Sequence, residues 1–140
     1  MNYYLTKSNP NTFRLQDYLG MFPTASRWTA CKNAKPGDTL IIGLSGKKAG
    51  IYATAIITST PTFGGEDPDC WINPEEAAKP RWRANIKFSE NLIHHPILEQ
   101  NLMAIPELKR MAKWLHFQGA TCYLTEEEAE AIEALIRKQR

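Results

Sequence analysis

The chain has 140 residues, of which 43% are hydrophobic and 23% are charged, and its formal net charge is +2. These values are typical of one globular domain built around one core, so residues 1–140 are expected to form a single domain. No apolar run is long enough to cross a membrane, and the N-terminus lacks the features of a secretory signal, so we expect a cytoplasmic protein without a membrane partner.

Cysteine usage and charge distribution narrow the expected class further. Cys31, Cys70 and Cys122 are an odd number and none lies in a C-x-x-C pair, so we expect reduced thiols and neither a disulfide framework nor a zinc site. Residues 125–140 hold five glutamates against three basic residues. The remainder has 14 basic and 10 acidic residues and carries +4, which is compatible with a nucleic-acid partner but only weakly indicates one.

The first half of the chain predicts strands joined by turns and one short helix. YYLTKSN (3–9) is an apolar strand that ends in polar residues, and TFRLQDYLG (12–20) has the apolar spacing of a helix that stops at a glycine. TLIIGL (39–44) predicts a buried strand and IYATAIIT (51–58) a second one, with SGKKAG as the hairpin loop between them.

The second half begins with a long loop, 61–81, that contains four prolines; a loop of this length in a compact domain is disordered or functional. WRANIKF (82–88) alternates apolar and polar residues and predicts a strand. A short helix (106–114), a strand (120–124) and a C-terminal helix opened by a Thr125–Glu128 capping box follow. This order predicts an α+β fold, with a small sheet or barrel of about five to six strands flanked by helices.

Motifs for catalysis or metal binding are absent from the sequence. The adjacent His94 and His95 are poorly placed to chelate one metal ion on a strand or a helix. GLSGKKAG lacks the spacing of a phosphate-binding loop and joins two strands, so it is read as a hairpin. No nucleophile elbow is found. We therefore predict no catalytic residue, no metal and no cofactor.

The four tryptophans fall into two groups. Trp82 begins an apolar strand face and Trp114 ends an amphipathic helix, so core packing is expected for both. Trp28 and Trp71 lie in polar segments without periodicity, where a ring either plugs one end of the core or offers its face to a ligand. Two such rings facing each other can sandwich a base, each stack contributing roughly 1–3 kcal/mol. Reading one base in this way requires a single strand or a flipped nucleotide.

The order of YYLTKSN, RWTACKNAKPGD, IYATAIITS, CWINPEE, WRANIKF and LHFQGATCYLTEEEAEAIEALI resembles the EVE domain family. EVE domains are prokaryotic relatives of the YTH domains within the PUA-like superfamily, and the resemblance covers essentially the whole chain. It implies a PUA-like mixed barrel with a pocket for one modified base. In YTH relatives this base is N6-methyladenine in RNA, whereas EVE domains are associated with modified bases in DNA, including methylated cytosines.

By position, the resemblance implies an aromatic cage whose walls are Trp28 and Trp71. Its polar floor would be Lys7, Ser8 and Asn9, although EVE proteins more often show KSEP at this point. YTH relatives carry a charged pair near HFQG, where this chain has Phe117 and Gln118; an amide both donates and accepts and suits a different base edge. The basic residues expected to contact phosphates are Arg27, Lys32, Lys79, Arg81 and Arg83.

Two functions follow as hypotheses. The first is a non-enzymatic reader of a modified, methylated base in DNA or RNA, which would act with a restriction or other effector protein in trans. The alternative is an enzyme of the PUA-like ASCH type, an amidohydrolase of modified nucleosides. In that case Lys7, beside a carboxylate such as Asp38 or Glu75, would be the general base. A protein-binding module whose tryptophans simply pack is a third possibility. The identity of the base, and whether the polymer is DNA or RNA, stay open.

Overall fold

The structure is a computed structural model that describes residues 1–11, 13–21, 24–64, 71–72, 75–76, 79–116 and 121–139. Over these ranges it contains eight strands and four α-helices. The strands are β1 (Tyr3–Ser8), β2 (Ala25–Thr29), β3 (Thr39–Leu44), β4 (Gly50–Ile57), β5 (Thr62–Gly64), β6 (Arg81–Asn91), β7 (Ile97–Leu98) and β8 (Thr121–Leu124). The helices are α1 (Leu15–Met21), α2 (Glu99–Met103), α3 (Lys109–Trp114), preceded by a 3₁₀ turn (Pro106–Leu108), and α4 (Glu126–Gln139).

The strands form one mixed sheet in the order β2-β6-β4-β3-β1-β8. The strand β1 runs parallel to β3, with Tyr3 opposite Thr39, and antiparallel to β8. The remaining pairs are antiparallel, including the two short strands, β5 on β6 and β7 on β4. Within the described ranges the pairing is an open path with β2 and β8 at its ends. The predicted α+β class is confirmed.

Apolar side chains cover both faces of the sheet, and this corrects the expectation of one core. One cluster packs β1, β3, β4 and β6 against α1, and includes Tyr4, Leu19 and Ile42. The other lies on the opposite face under α2, α3 and α4, and includes Leu5 and Ile41. All six residues of β3 are buried, as expected of a strand that is covered on both faces.

Several predicted elements are confirmed with shifted ends. The helix expected over 12–20 begins at Leu15, because Phe13 instead forms an isolated β-bridge with Trp71. The strand expected over 82–88 extends over Arg81–Asn91, and the helix expected over 106–114 starts as a 3₁₀ turn. The long loop contains β5. Four elements were not predicted, namely β2, β5, β7 and α2.

The capping box that opens α4 is confirmed. The backbone N–H of Glu128 donates to Thr125 Oγ1 at 3.1 Å, and the Glu128 carboxylate accepts from the Thr125 backbone N–H at 2.9 Å. The same carboxylate is 4% exposed and accepts a hydrogen bond from Arg110 Nε at 3.1 Å, which ties α4 to α3. None of the helices in the described ranges is both long and apolar enough to cross a membrane.

Candidate nucleic-acid interface

The polar residues that end β1 are divided between the two faces of the sheet. Successive side chains of a strand point to opposite faces. Tyr4, Thr6 and Ser8 therefore share the face that carries α1, and Ser8 is 7% exposed. Lys7 shares the other face with Leu5, which packs in the second cluster. Only one of the three predicted floor residues thus lies on the same sheet face as Trp28.

Lys7 contacts the end of α3 and does not line the floor of the predicted aromatic cage. Its Nζ donates to the carbonyl oxygen of Trp114 at 2.8 Å and lies 4.4 Å from the centroid of the Trp114 ring. The hydrogen bond and the cation–π contact both hold the ammonium group on the far face of the sheet. The sequence prediction that Lys7 and Ser8 line one floor is corrected, because neighbouring strand residues cannot point the same way.

Asn9 is exposed, which corrects the prediction that it faces a cavity. Its Oδ1 accepts from the backbone N–H of Asn11 at 2.9 Å, and its carbonyl oxygen accepts from the backbone N–H of Phe13 at 3.0 Å. Asparagine commonly stabilises a turn in this way. Asn9 therefore shapes the turn that leads to Phe13.

Trp28 is held in place from two directions. It lies on β2 opposite Ala84 of β6 and is 8% exposed. Its Nε1–H donates to Thr6 Oγ1 at 2.9 Å, a bond between buried groups that fixes the plane of the indole. Sequence reasoning missed Thr6, although the alternation of β1 puts it on the same face as Ser8.

Phe13 connects the two predicted cage residues. Its ring centroid lies 5.5 Å from that of Trp28 and 5.0 Å from that of Trp71, with interplanar angles of 83° and 69°. Tyr18 contacts both Phe13 and Trp28, and its hydroxyl donates to the carbonyl oxygen of Arg27 at 3.0 Å. The structure thus brings Trp28 and Trp71 together through a shared edge-on ring. We refer to Phe13, Tyr18, Trp28 and Trp71 as the aromatic cluster.

Trp71 is the partly exposed member of the aromatic cluster, and basic residues lie beside it. The Arg81 guanidinium is centred 5.0 Å from the Trp71 ring centroid. Arg81 also pairs with the Glu76 carboxylate at 3.2 Å, and Lys79 pairs with it at 2.7 Å. The hydrogen bond from Lys79, together with the charges of Lys79 and Arg81, lowers the pKa of Glu76. At neutral pH this carboxylate partly neutralises two of the predicted phosphate contacts.

The other predicted phosphate contacts lie farther along the sheet. Arg27 is exposed and donates to Thr62 Oγ1 at 2.6 Å. Lys32 is also exposed, and its Nζ lies 5.6 Å from the Trp82 ring centroid. Arg83 is 0% exposed and donates to the carbonyl oxygen of Gly64. The prediction of a solvent-facing phosphate contact at Arg83 is therefore corrected, because the Arg83 side chain is buried and contacts the backbone of β5.

The remaining predicted site residues and tryptophans have separate outcomes. Phe117 and Gln118 lie outside the described residues. Trp114 packs against the second apolar cluster, as expected. Trp82 was expected in the core, but it is only partly buried and its ring lies 5.4 Å from that of the exposed Phe63.

A separate cavity of about 650 Å³ lies between α1, the β3–β4 hairpin loop and α2. Gln16, Lys47, Lys48, Tyr52 and Met103 are among its lining residues. The Tyr52 hydroxyl donates to the carbonyl oxygen of Lys48 at 2.8 Å, and burial raises the pKa of Tyr52. Neither Trp28 nor Trp71 lines this cavity, so it is distinct from the aromatic cluster.

Comparison with known proteins identifies the family. The sequence model of the EVE domain matches residues 2–135, whereas no curated protein matches the chain. Among solved structures, a hypothetical protein from Leishmania major superposes with a TM-score of 0.69 at 18% identity, over 100% of this chain and 98% of that chain. Human THYN1, solved in complex with DNA containing 5-methylcytosine, superposes with a TM-score of 0.67 at 17% identity, over 96% and 97% of the two chains.

A protein from Agrobacterium tumefaciens superposes with a TM-score of 0.63 at 18% identity, over 96% of this chain and 92% of that chain. At these identities the likeness establishes a common fold. The family match spans nearly the whole sequence and agrees with the residues that first suggested the resemblance. The chain belongs to the EVE domain family.

Proposed function

We propose that this protein is a non-enzymatic reader that binds a modified, methylated nucleobase of DNA or RNA. The observation that carries the proposal is the EVE domain match over residues 2–135, together with a structural neighbour, human THYN1, solved in complex with 5-methylcytosine DNA. The proposed site is the aromatic cluster and Ser8, all on the α1 face of the sheet. A restriction or surveillance protein in the cytoplasm would supply the downstream effect in trans.

The different burial of Trp28 and Trp71 suggests a different role for each in binding the base. Trp28 is enclosed and hydrogen-bonded to Thr6, so it provides a fixed wall. Trp71 is partly exposed and already has a planar cation, the Arg81 guanidinium, stacked near its ring. A base that stacks on Trp71 would replace this cation, and the displaced Arg81 would then be available for a phosphate. Stacking supplies the affinity, and polar groups near Ser8 would read the base edge.

The proposal is tested by binding measurements with matched oligonucleotides. Single strands and duplexes of one sequence, each with cytosine, 5-methylcytosine, adenine or N6-methyladenine at one position, are compared by fluorescence anisotropy. We expect tighter binding to one modified form than to its unmodified parent. Equal affinity for all forms would refute the proposal.

The informative variant is Trp71→Ala, because Trp71 is the less buried wall. Losing one stack is expected to weaken binding of the preferred modified strand by roughly 5- to 100-fold. Trp114→Ala removes the same side chain from the opposite face of the sheet and is the matched control. Trp28→Ala is less useful, since removal of a buried tryptophan costs about 3–5 kcal/mol of stability.

The amidohydrolase alternative requires Lys7 beside a carboxylate, and the geometry of β1 and β3 disfavours the pair with Asp38. Lys7 lies opposite Gly43, five residues along β3 from Asp38, which is about 16 Å in an extended strand. The Asp38 carboxylate accepts from the backbone N–H groups of Asn2 and Lys35 at 3.0 and 2.9 Å. Incubation with methylated nucleosides, followed by mass spectrometry, tests this alternative, and product formation that is lost in Lys7→Met would support it.

A further inference from the structure

Two aromatic rings lie side by side on the paired strands β5 and β6 without the burial that would explain them. Phe63 and Trp82 are directly opposite each other in the ladder, and their ring centroids are 5.4 Å apart at an interplanar angle of 46°. Phe63 is 61% exposed and Trp82 is only partly buried. Exposure of two large neighbouring rings to water is unfavourable, and such exposed apolar groups commonly belong to a ligand-binding surface.

The chemistry around this pair favours a planar anionic ligand. Lys32 places its ammonium nitrogen 5.6 Å from the centroid of the Trp82 ring and is itself exposed. Exposed aromatic rings beside a lysine are the combination that binds an unpaired base and the phosphate attached to it. The described contacts of the pair are the two rings and a single lysine, so stacking is expected to contribute more than charge.

The position of the pair relates it to the aromatic cluster. Ala84 of β6 lies opposite Trp28, and Trp82 lies two residues earlier, where its carbonyl oxygen accepts from the backbone N–H of Ala30 at 2.9 Å. Residues two apart in a strand share one face and are separated by about 7 Å. Trp82 therefore projects from the same face as Trp28, one side-chain step along the sheet.

We propose that Phe63 and Trp82 form a stacking surface for an unpaired nucleotide that neighbours the modified base held at the aromatic cluster. The proposal rests on the reader function and deepens it, because it adds a second contact along the same strand. A single-stranded or locally opened nucleic acid is the ligand, since a base inside a duplex has no free face to stack on the pair. This contact adds affinity for the strand and carries no preference for the modification.

The test uses three substitutions at Phe63, because a side chain that is 61% exposed can be replaced with little effect on folding. Binding to a single-stranded oligonucleotide is measured with and without 5-methylcytosine, alongside the free nucleoside 5-methyldeoxycytidine. Phe63→Ala and Phe63→Leu are expected to lower the affinity for both oligonucleotides by roughly 5- to 100-fold. Phe63→Tyr, which keeps an aromatic ring, is expected to bind them as tightly as the wild-type protein. The ratio between the two oligonucleotides, the affinity for the free nucleoside and the thermal stability should stay unchanged.

The outcomes separate this inference from the proposed function. Unchanged oligonucleotide affinity in Phe63→Ala refutes the stacking surface, even where the wild-type protein prefers the methylated strand. Wild-type oligonucleotide affinity in Phe63→Leu also refutes the stacking surface, because leucine provides apolar area without a ring face. Weaker binding in Phe63→Ala, in a wild-type protein that prefers neither 5-methylcytosine nor N6-methyladenine over its parent base, supports stacking of an unpaired nucleotide on Phe63 but refutes both the reader function and the place of this surface beside a modified base. Failure of the wild-type protein to bind any oligonucleotide refutes both.

Discussion

At the scale of single residues, Thr6 fixes the orientation of the Trp28 indole. Thr6 is 1% exposed, and its hydroxyl oxygen accepts the hydrogen bond of the buried Trp28 Nε1–H at 2.9 Å. Replacing Thr6 by valine keeps the shape of the side chain but leaves this donor without its acceptor. A buried donor that loses its partner costs about 1–3 kcal/mol.

We therefore expect Thr6→Val to lower the free energy of unfolding by about 1–3 kcal/mol, measured by urea denaturation monitored through tryptophan fluorescence. Thr6→Ser retains a hydroxyl and is the control, with a smaller loss expected. A Thr6→Val variant as stable as the wild-type protein would show that the bond makes no net contribution.

Glu76 partly neutralises the positive charges of Lys79 and Arg81 near Trp71. It pairs with Lys79 and Arg81 at 2.7 and 3.2 Å. Glu76→Gln removes the negative charge without removing either cation. Because exposed ion pairs are weak, we expect the affinity for single-stranded DNA to rise by only about 2- to 5-fold at low salt. The gain should shrink as salt is added, since the Debye length falls; a gain that persists at 1 M salt would contradict this explanation.

At the scale of secondary-structure elements, the contact between β4 and β7 depends on a glycine. A Cβ atom added at Gly50 would lie 2.4 Å from the carbonyl oxygen of Ile97 and 2.9 Å from the Cα of Leu98. Both neighbours are backbone atoms of β7, so they cannot move aside as a flexible side chain can. The two strands pair at this point, with Gly50 opposite Leu98.

Gly50→Ala is therefore expected to destabilise the protein by about 1–3 kcal/mol, the usual cost of overpacking. Gly64→Ala is the matched control, since a Cβ atom added there has nothing within 4 Å. Both variants are compared by thermal denaturation. Equal melting temperatures would show that β7 can shift away from β4 at little cost.

The elements also show which parts of this fold a sequence can predict. The strands β3 and β4 and the capping box of α4 were predicted because apolar composition or side-chain chemistry determines them locally. The strand β2 was missed because ASRWT is short and mostly polar, and its pairing with β6 determines its conformation. Long-range pairing of this kind leaves no periodicity in the strand itself.

The positions of the candidate site residues were predictable to a similar extent. Trp28 and Trp71 were selected because polar segments gave them no packing role, and the structure places both against Phe13. The role of Phe13 could not be inferred, since it depends on a bridge between two segments 58 residues apart. The prediction that Lys7 and Ser8 line the same floor was wrong, although strand alternation alone assigns their side chains to opposite faces.

At the scale of the whole molecule, the acidic helix α4 and the aromatic cluster lie on opposite faces of the sheet. The helix α4 packs on one face and carries the exposed residues Glu127, Glu130 and Glu133, whereas the aromatic cluster lies on the other. Packed layers are about 10 Å apart, while the Debye length at physiological salt is about 8 Å. The carboxylates of α4 are therefore largely screened from the proposed site.

We expect the triple variant Glu127→Gln, Glu130→Gln, Glu133→Gln to change the affinity for single-stranded DNA by less than about 2-fold at 0.15 M salt. At 0.01 M salt, where the Debye length is about 30 Å, the variant should bind more tightly than the wild-type protein. Anisotropy titrations over this range measure both effects. A large gain at 0.15 M would place the nucleic acid near α4 and contradict the proposed site.

The position of β1 also has a consequence for how the chain folds. This strand pairs in parallel with β3, 36 residues later, and with β8 near the other end of the sequence, where Tyr3 meets Leu124. Contacts so distant along the chain slow folding, because the intervening segment must close into a loop first. While the protein is being synthesised, β1 keeps one open edge until β8 has emerged from the ribosome. The strand that carries Thr6 and Ser8 is therefore completed late, and newly made chains should acquire the proposed binding activity only after β8 has been translated.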